Sequence, residues 1–400
     1  MGRTALLLVL GMSVIFVSIA PNIYHTSTFA YQNYLNYYST ESVHDLAESA
    51  ANMTANQVFI NSNYIGGFAT KSLGNGTYKS SVKKYPADTT KIEVDAYATV
   101  SGISDTITIL LQPSSFSKFA YYSIVEGTIY WITGDTVWGP LHTEDVLHVS
   151  GNPTFEGKVT TKSGISKLNG SADHPQFLGG YQSGVSLTLP TDFSKLKNYA
   201  QNGGKYFSGG SDIYMAFNSN GTVTYRTGSW TAAATTVAIN TLAPDGVLMV
   251  DGGNLHLKGK LNGQMTVVST GTGKNVYIDS SVTYNSNPQT NSNSTDMLGI
   301  CCDNDVIITD NTNNHNCEVD ASIMSRTGGL SAQDYDTRAI GTLTLLGGLQ
   351  QYQRGAVGTF SGSTIVSGFH KNYRYDNRLM VSYPPDYPNT GSFEVLSWKE

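Results

Sequence analysis

Apolar residues form one long run close to the start of the chain, at residues 5–20. The run reads ALLLVLGMSVIFVSIA, and the charged residue before it is Arg3. Further on, residues of one helical face recur at spacings of three and four, at Val43, Leu46, Ala50, Met53, Gln57 and Ile60. Polar residues of the opposite face are Glu41, Asp45, Glu48 and Asn52. This periodicity predicts one helix to about residue 60, apolar first and amphipathic later, with a kink or break near Pro21.

From residue 63 to about 137, short segments alternate between apolar and polar side chains, as in 92–97 and 106–109. Such alternation is typical of strands that bury one face. The stretch 121–131 reads as a further pair of strands. We therefore expect a small antiparallel sheet that packs on the amphipathic half of the helix and covers its apolar stripe.

Residues 138–240 combine short strand-like segments with turns rich in Gly, Asn and Pro. One short helix is predicted after Thr191 or Asp192, either of which can cap its first turn, and the glycine pair that begins at Gly203 ends it. A hairpin follows within 213–226, because the Asn-Gly pair at its centre favours the positive φ of a tight turn.

The most regular β pattern lies in residues 241–369, where short apolar runs alternate with turns of Gly, Asn and Asp. The runs are 247–250, 255–257, 265–268, 276–278, 298–300, 306–308, 319–323 and 343–346. They predict a β-solenoid of the single-stranded β-helix type, in which each coil buries its apolar face against the next. The segment 285–296 reads as a loop insertion. A flattened β-sandwich is the alternative fold.

The last segment, residues 370–400, is rich in tyrosine and proline. Because the open end of a solenoid exposes unpaired strand edges, we expect this segment to act as a cap, with 393–398 as its last strand. The predicted fold class is α+β and mainly β. It consists of a long N-terminal helix over residues 1–62, a small antiparallel sheet, and a β-solenoid body with a C-terminal cap.

The composition narrows the possible partners. Charged residues make up only 14% of the 400 residues, whereas glycine (41) and tyrosine (25) are abundant. Ordinary soluble domains carry about 25% charged residues, so this surface interacts mainly through hydroxyl and amide groups. The net charge is −6 and the pI is near 5.7. Nucleic-acid binding needs a basic stripe, and the sequence has no cluster of Lys and Arg, so we expect no nucleic-acid partner.

The apolar run at residues 5–20 admits three interpretations. As a secretory signal peptide it would be cut after Ala20, although Pro21 follows that position. As a plain transmembrane anchor it is short, because a bilayer core of about 30 Å needs about 20 apolar residues. As the first part of one long helix, it has the layout of a subunit that is held in a membrane and then packs into a filament.

The third layout resembles that of type IV pilins and type II secretion pseudopilins. The sequence GRTALLLVL at residues 2–10 is most similar to their minor, tip-associated members. The resemblance implies cleavage by a prepilin peptidase after Gly2 and a membrane or filament-core helix over residues 4–21. Most pilins carry a glutamate at the fifth position after the cut, where this chain has Leu7, and tip-type pseudopilins also lack it. The residues of this core helix would be Ala5, Leu6, Leu7, Leu8, Val9, Leu10, Val14, Ile15, Phe16, Val17 and Ile19.

Longer motifs extend the resemblance to bacterial envelope proteins that join a pilin-like N-terminus to a β-rich domain of unknown function. The motifs are WGPLHT at 138–143, APDGV at 243–247, DMLGI at 296–300, RGAVGTF at 354–360 and KNYRYD at 371–376. The resemblance implies a place in the cell envelope, anchored in the inner membrane or assembled in an extracellular filament. It also implies self-association or association with other pilin-like subunits, and it supplies no catalytic residues.

Three cysteines leave their role open. Cys302 could form a disulfide with Cys317 in an oxidising envelope, and its neighbour Cys301 could do the same. All three could instead be buried small apolar residues. A zinc site would need a fourth ligand, for which His315 is the nearby candidate.

Four polar residues near the middle of the chain are candidates for acid–base or metal chemistry: His142, Glu144, Asp145 and His148. On a strand, His142 and Glu144 share one face while the other two do not. We therefore interpret the group as a polar loop and expect no single site from it.

Asp303 and Asp305 alternate on one strand face and are the weak candidates for a metal site. Paired carboxylates can hold calcium, or they can act on a polysaccharide together with a third acid such as Glu318. The segment is also rich in Asn, and Asn and Asp side chains commonly cap turns by bonding their own backbone. We favour this last role and expect no metal and no cofactor.

The sequence as a whole favours a non-enzymatic, pilin-like surface or filament subunit. Its N-terminal helix would anchor it in the inner membrane before assembly, and its β-solenoid would serve assembly, adhesion or scaffolding. One alternative is a polysaccharide-active β-helix enzyme that uses the acids named above. Another is a surface protein that binds glycans through exposed tyrosines of the C-terminal segment.

Overall fold

The computed structural model describes residues 2–361 and 364–400. The predicted ranges 1–62 and 241–369 therefore include positions 1, 362 and 363, which lie outside the described residues. The chain divides into two compact units, residues 2–114 with Gly391–Glu400, and Ser115–Thr390. The helices are α1 Gly2–Ile60, α2 Ser194–Asn202 and α3 Ile239–Leu242, and 3-10 turns lie at Phe116–Lys118, Gly170–Ala172 and Asn377–Met380.

Most of the remaining chain is extended. The strands are, in chain order, β1 Lys71–Leu73, β2 Gly76–Tyr85, β3 Asp88–Val100, β4 Ile103–Ser115, β5 Tyr121–Val125, β6 Trp131–Ile132, β7 Thr136–Val137, β8 Leu141–Thr143, β9 Leu147–Ser150, β10 Thr154–Phe155, β11 Val159–Thr161, β12 Ile165–Lys167, β13 Gln176–Phe177, β14 Tyr181–Ser183, β15 Lys205–Phe207, β16 Ile213–Asn218, β17 Thr222–Thr227, β18 Thr235–Ala238, β19 Val247–Asp251, β20 Leu255–Leu261, β21 Gln264–Thr270, β22 Val276–Tyr284, β23 Met297–Cys302, β24 Val306–Ile308, β25 Cys317–Ser325, β26 Leu330–Ala332, β27 Gly341–Gln353, β28 Gly358–Ser361, β29 Thr364–Arg374 and β30 Asn389–Lys399.

The helix α1 is continuous from Gly2 to Ile60. Pro21 lies inside it, so of the predicted kink or break the break is wrong, and the kink stays a prediction. Proline removes one backbone donor, which here leaves the carbonyl of Val17 without its usual partner. One missing bond does not interrupt a helix of 59 residues, because the turns on both sides keep theirs.

The buried face of α1 follows the predicted stripe at first and then departs from it. The buried residues are Val43, Leu46, Ala47, Ala50, Ala51, Thr54, Ala55 and Val58. Met53 and Ile60, which were expected on this face, are 37% and 71% exposed. The predicted spacings average about 3.4 residues, whereas an α-helix turns once every 3.6. Over the five turns from Val43 to Ile60 this difference carries the predicted stripe about 100° around the helix.

The first unit contains the small antiparallel sheet that the sequence predicts, with strand order β1–β2–β3–β4–β30. Neighbours among β1 to β4 pair antiparallel, as shown by Val94, which lies between Val82 and Ile109. These side chains share a core with the buried face of α1. The sheet reaches only Ser115 instead of residue 137.

The last strand of the chain also belongs to this sheet. The expected strand at 393–398 is present within β30, but it lies beside β4 and not on the strands it was expected to cap. Gln112 of β4 donates a hydrogen bond of 2.9 Å to Glu394 of β30. An edge strand with unpaired backbone groups is a liability, and β30 covers the edge that β4 would otherwise expose.

Parallel pairing dominates the second unit. One series of paired strands is β19–β21–β23–β25–β27, and another is β20–β22–β24–β26. In the first series Val247 lies beside Thr266, and Gly299 lies beside Ser322. Each of the eight predicted apolar runs between 247 and 346 lies in one of these strands, which confirms their predicted positions. Their side chains fill a common apolar core.

The local elements predicted for residues 138–240 are also present. β16 and β17 form the antiparallel hairpin, and Gly221 in its turn has a φ of +79°. The helix α2 begins two residues after Asp192, whose carboxylate accepts a hydrogen bond from the Ser194 N–H, and Gly203 ends it. The segment 285–296 is a loop between β22 and β23, as expected.

Glycines allow successive turns of the second unit to approach closely. A Cβ atom on Gly157 would lie 2.2 Å from the carbonyl carbon of Gly139. A Cβ atom on Gly179 would lie 2.3 Å from the carbonyl carbon of Gly157. These contacts leave no room for any other residue at 157 or 179, because real Cβ atoms do not come so close to backbone.

Candidate functional surfaces

The apolar half of α1 is exposed along its whole length. All the side chains predicted to face lipid or sibling helices, from Ala5 to Ile19, lie on the surface of the chain, and Leu7 is 70% exposed. The most apolar 18-residue window has a mean hydropathy of 2.3 and none of it is buried. The helix is long and apolar enough to cross a membrane. A continuous apolar surface of this size marks a site of contact with lipid or protein.

The exposed part of α1 extends well beyond its apolar run. Between Arg3 and Glu41 the 37 residues 4–40 contain no Asp, Glu, Lys or Arg. At a rise of 1.5 Å per residue this charge-free stretch is about 55 Å long, whereas a bilayer core is about 30 Å thick. Its second half presents exposed aromatic side chains at Tyr24, Phe29, Tyr31, Tyr34, Tyr37 and Tyr38. We refer to residues 24–38 as the tyrosine segment.

All three cysteines are free thiols and buried. Cys302 lies beside Ser325, at one end of β25, whereas Cys317 is at the other end of that strand. This separation exceeds the distance of about 7 Å between Cα atoms that a disulfide can span. Burial raises the pKa of Cys302 and of Cys317 to about 12, so both are held as neutral thiols. They occupy the core as small apolar residues, which was the alternative to a disulfide.

The acidic residues once considered for metal binding or catalysis have separate structural partners. Asp303 pairs with Arg326 at 2.7 Å, and Asp305 accepts a hydrogen bond of 2.9 Å from the backbone of Gly329. Glu318 lies at the opposite end of β25 from Arg326. Within residues 2–361 and 364–400, no group of three or more His, Cys, Asp or Glu is arranged to hold a metal ion. Asp303 and Asp305 are thus engaged by an arginine and by a backbone N–H of the chain itself.

The four polar residues at 142–148 also do not come together in a single site. His142 and Glu144 share a face and are bonded, with 3.0 Å between Nε2 and Oε1. Asp145 instead accepts a hydrogen bond of 3.0 Å from the Glu126 N–H. His148 lies on the neighbouring strand β9. The predicted division into two faces is therefore confirmed.

The pair of His142 and Glu144 has a structural role. The Thr160 hydroxyl lies 2.8 Å from Nδ1 of His142, and burial lowers the pKa of the imidazole, which is thereby kept neutral. Burial raises the pKa of Glu144, but hydrogen bonds from a backbone N–H, from His142, Lys162 and Ser186 outweigh it, so this pKa is below its usual value. The Glu144 carboxylate accepts hydrogen bonds from the Ser186 hydroxyl and the Leu187 N–H, which fix the segment after residue 185.

The C-terminal tyrosines proposed as glycan platforms are mostly buried. Tyr375 donates a hydrogen bond of 2.7 Å to the carbonyl of Lys118, and Tyr387 donates one of 2.6 Å to Gln350. Both side chains are less than a tenth exposed. They hold the tail 375–388 against the second unit and present no ring face to a ligand.

One cavity, not anticipated from the sequence, lies within the second unit. It has a volume of about 450 Å³ and combines residues 129–138 with parts of β27 and β29. We call it the aromatic cavity. Side chains that line it include Tyr130, Trp131, Trp138, Arg354, Lys371 and Tyr373. More than 200 residues separate its two halves in the chain, so no local pattern could reveal it.

An ion pair stands at the inner wall of the aromatic cavity. Arg354 lies 3.3 Å from Glu126, which is fully buried, and its guanidinium stacks over the Trp131 ring at 4.6 Å. The nearby Asp135 carboxylate accepts a hydrogen bond of 2.9 Å from the Ile132 N–H. The wall is therefore ordered by contacts within the chain, in keeping with a preformed site.

Comparisons with known proteins bear on the fold alone. No model of a known protein family and no curated protein sequence matches the chain. Among solved structures, the chain is similar to the competence-associated pilin ComZ from Thermus thermophilus, with a TM-score of 0.42 and 10% sequence identity. The match covers 91% of this chain and 96% of that chain. A likeness of this extent carries no function from one protein to the other. The chain's own structure, a long N-terminal helix with an apolar first half followed by a β-rich body, has the predicted pilin-like layout.

Proposed function

We propose that the protein is a non-enzymatic, pilin-like subunit of the cell envelope. Its apolar run is held in the inner membrane before assembly, and its tyrosine segment packs against other pilin-like helices in a filament. The second unit, which we interpret as a β-solenoid, serves assembly, adhesion or scaffolding. Cleavage after Gly2 would give a mature chain that begins at Arg3.

The length of the charge-free helix carries this proposal. A plain membrane anchor needs about 20 apolar residues, and the run 5–20 with a few flanking residues supplies them. The tyrosine segment beyond that run would then stand in water, where an uncharged, tyrosine-rich helix has no reason to exclude Asp, Glu, Lys and Arg. Tyrosine and other uncharged residues suit a helix–helix interface, because they bury ring area and keep a hydrogen-bonding tip.

The type of helical partner is narrowed by Leu7. The acid that most pilins carry at this position is absent, and Leu7 is 70% exposed along with its neighbours. A buried, unpaired carboxylate is costly, so a leucine at this position needs no partner to neutralise it. This favours a place at the end of a filament or in a small assembly, where no further subunit must be aligned through a charge pair.

Two single substitutions separate the proposed roles of the two helix segments. Val14→Arg places a charge in the middle of the apolar run and costs about 3 kcal/mol of insertion energy, which is a ~100-fold loss of partition. We expect the full chain then to leave carbonate-washed membranes. Tyr31→Arg lies outside the run, so the chain should stay in membranes but lose cross-linked assemblies with sibling helices. Asn63→Arg, which follows the helix, is the control and should change neither property.

The outcomes distinguish the interpretations of the N-terminus. If Tyr31→Arg leaves assembly intact, the tyrosine segment is not a packing surface and the chain is a plain anchored protein. If N-terminal sequencing of the mature protein begins at Pro21, the run is a signal peptide and the proposal fails. A mature chain that begins at Arg3 supports it.

A further inference from the structure

The aromatic cavity has the dimensions and the partial opening of a small-molecule site. Its volume of about 450 Å³ lies within the range of roughly 300–1,000 Å³ that is usual for ligand pockets. Apolar and aromatic side chains that line it keep exposed surface, with Ile129, Ile132 and Trp138 at 43%, 42% and 55%. A bulky indole such as Trp138 is seldom left so exposed beside a cavity, and its free ring can contact a ligand.

Charge within the aromatic cavity is unbalanced. Arg354 is paired with Glu126, and Arg374 donates a hydrogen bond to Asn372. Lys371 lines the same space, and among the described residues no carboxylate lies within 4.0 Å of its ammonium group. A single acid, Asp135, lines the cavity and already accepts a hydrogen bond from the backbone. The lining therefore has an ammonium group without a counter-ion.

The surroundings of Lys371 make an anion the favoured partner. Desolvation by the cavity walls, and then the nearby guanidinium of Arg354, lower the pKa of Lys371 to about 8. The residue as a whole keeps exposed surface, so a ligand can reach it from solvent. A bound anion would offset the repulsion between the two cationic groups and supply the counter-ion that Lys371 lacks.

The geometry points to a carboxylated sugar as the ligand: we propose that the aromatic cavity binds a uronate unit of an acidic polysaccharide, with its carboxylate on Lys371. The apolar face of the sugar ring lies against Trp138 or Tyr130. Asp135 accepts hydrogen bonds from ring hydroxyls through its second carboxylate oxygen. Two of the C-terminal tyrosines, Tyr373 and Tyr375, line this cavity. The site does not depend on the proposed role of α1, because it lies wholly within residues 115–390.

The same lining disfavours two other ligand classes. A phosphate dianion prefers several converging donors, such as arginine forks or a helix N-terminus. Here Lys371 and Arg374 share the cavity with the carboxylate of Asp135, which repels a second negative charge. A neutral sugar would leave Lys371 without a counter-ion. A uronate has one negative charge, which can pair with Lys371. Its ring hydroxyl groups can donate hydrogen bonds to Asp135.

The test is titration calorimetry of the full chain in detergent micelles at about pH 6.5, where Lys371 is charged. The probe is trigalacturonate, and its methyl ester is the matched neutral compound. We expect the acid to bind and the ester to bind at least about tenfold more weakly, which is the usual worth of one charged hydrogen bond. Lys371→Gln should weaken acid binding by a similar factor and leave ester binding unchanged. Lys260→Gln, an exposed lysine elsewhere on the second unit, is the matched control and should bind like the wild type.

Trp138→Ala provides a second, independent variant. Because Trp138 is exposed, this change should leave the folding transition unaltered and weaken both acid and ester. Equal binding of acid and ester, unchanged acid binding by Lys371→Gln, or no binding at millimolar concentration would each overturn the proposal. Inorganic phosphate that competes as well as trigalacturonate would also overturn it, since the cavity would then be a general anion site.

Discussion

Asp320 is the buried acid for which the structure predicts the largest pH effect on stability. Its side chain is 1% exposed, and one carboxylate oxygen accepts a hydrogen bond of 2.8 Å from the Tyr284 N–H. The other oxygen is buried with no hydrogen-bond partner. Burial, aided by the neighbouring acids Glu318 and Asp376, raises the pKa to about 7 against the lowering effects of the Tyr284 N–H and of Arg378. The folded protein therefore holds a proton on Asp320 that the unfolded chain releases near pH 4.

The sign and size of the effect follow from this difference. Because the pKa of Asp320 is higher in the folded state, its contribution to the free energy of unfolding is fully present below about pH 4. The contribution is lost as the pH rises through about 7, at about 1.4 kcal/mol per unit. Between about pH 5 and about pH 7 the wild type should lose about 2 kcal/mol from this group, because the slope falls as the pH nears the folded pKa.

Asp320→Asn should remove this dependence. The amide oxygen can still accept from Tyr284, and no charge has to be buried at high pH. The assay is urea unfolding of the full chain in detergent, followed by tryptophan fluorescence at about pH 5 and about pH 7. Asp336→Asn, which makes the same substitution at an exposed aspartate, is the control. If the wild type and Asp320→Asn lose the same stability between the two pH values, the group is not protonated in the fold and the reasoning is refuted.

Three substitutions and one labelling experiment test the packing of the second unit, and the substitutions use the same unfolding assay. Gly157→Ala forces a Cβ atom into backbone and should cost about 1–3 kcal/mol, so an unchanged urea midpoint would contradict the close approach. Arg354→Met leaves the buried Glu126 without its ion-pair partner and should cost about 3–5 kcal/mol. Arg326→Met, at a pair whose side chains are 24% and 19% exposed, should cost less, on the order of 1 kcal/mol; equal losses would contradict the difference in burial. The three buried thiols should react with a thiol reagent only after unfolding, and rapid labelling of the native protein would show that they are accessible.

Local patterns in the sequence predicted the strands of the second unit well. Each of the eight apolar runs between 247 and 346 became a strand, because such a run bounded by Gly, Asn and Asp has few other ways to bury its side chains. The hairpin at 213–226 and the end of α2 at Gly203 were also correct, whereas the N-cap of α2 is Phe193 and not Thr191 or Asp192. These elements depend on turn chemistry and capping, which operate between residues that are close in the chain.

Long-range contacts were predicted less well. Met53 and Ile60 were assigned to the buried face of α1, but small residues such as Ala47 and Ala51 take that place. Small alanine side chains allow the strands of the sheet to pack close to α1. The spacing of apolar residues in the sequence does not show which side of the helix the strands will cover. The same limit applies to β30, whose partner β4 lies almost 300 residues earlier in the chain.

The sequence by itself determined that a long, charge-free helix leads a chain of short strands, because hydrophobic periodicity and turn residues are local properties. Only the tertiary structure decided which strands pair, where β30 lies, and that residues 129–138 meet Lys371 around one cavity. Those arrangements bury surface from segments that are far apart in the chain. The free energy of this burial arises only when the segments come together, so it cannot be read from any one of them.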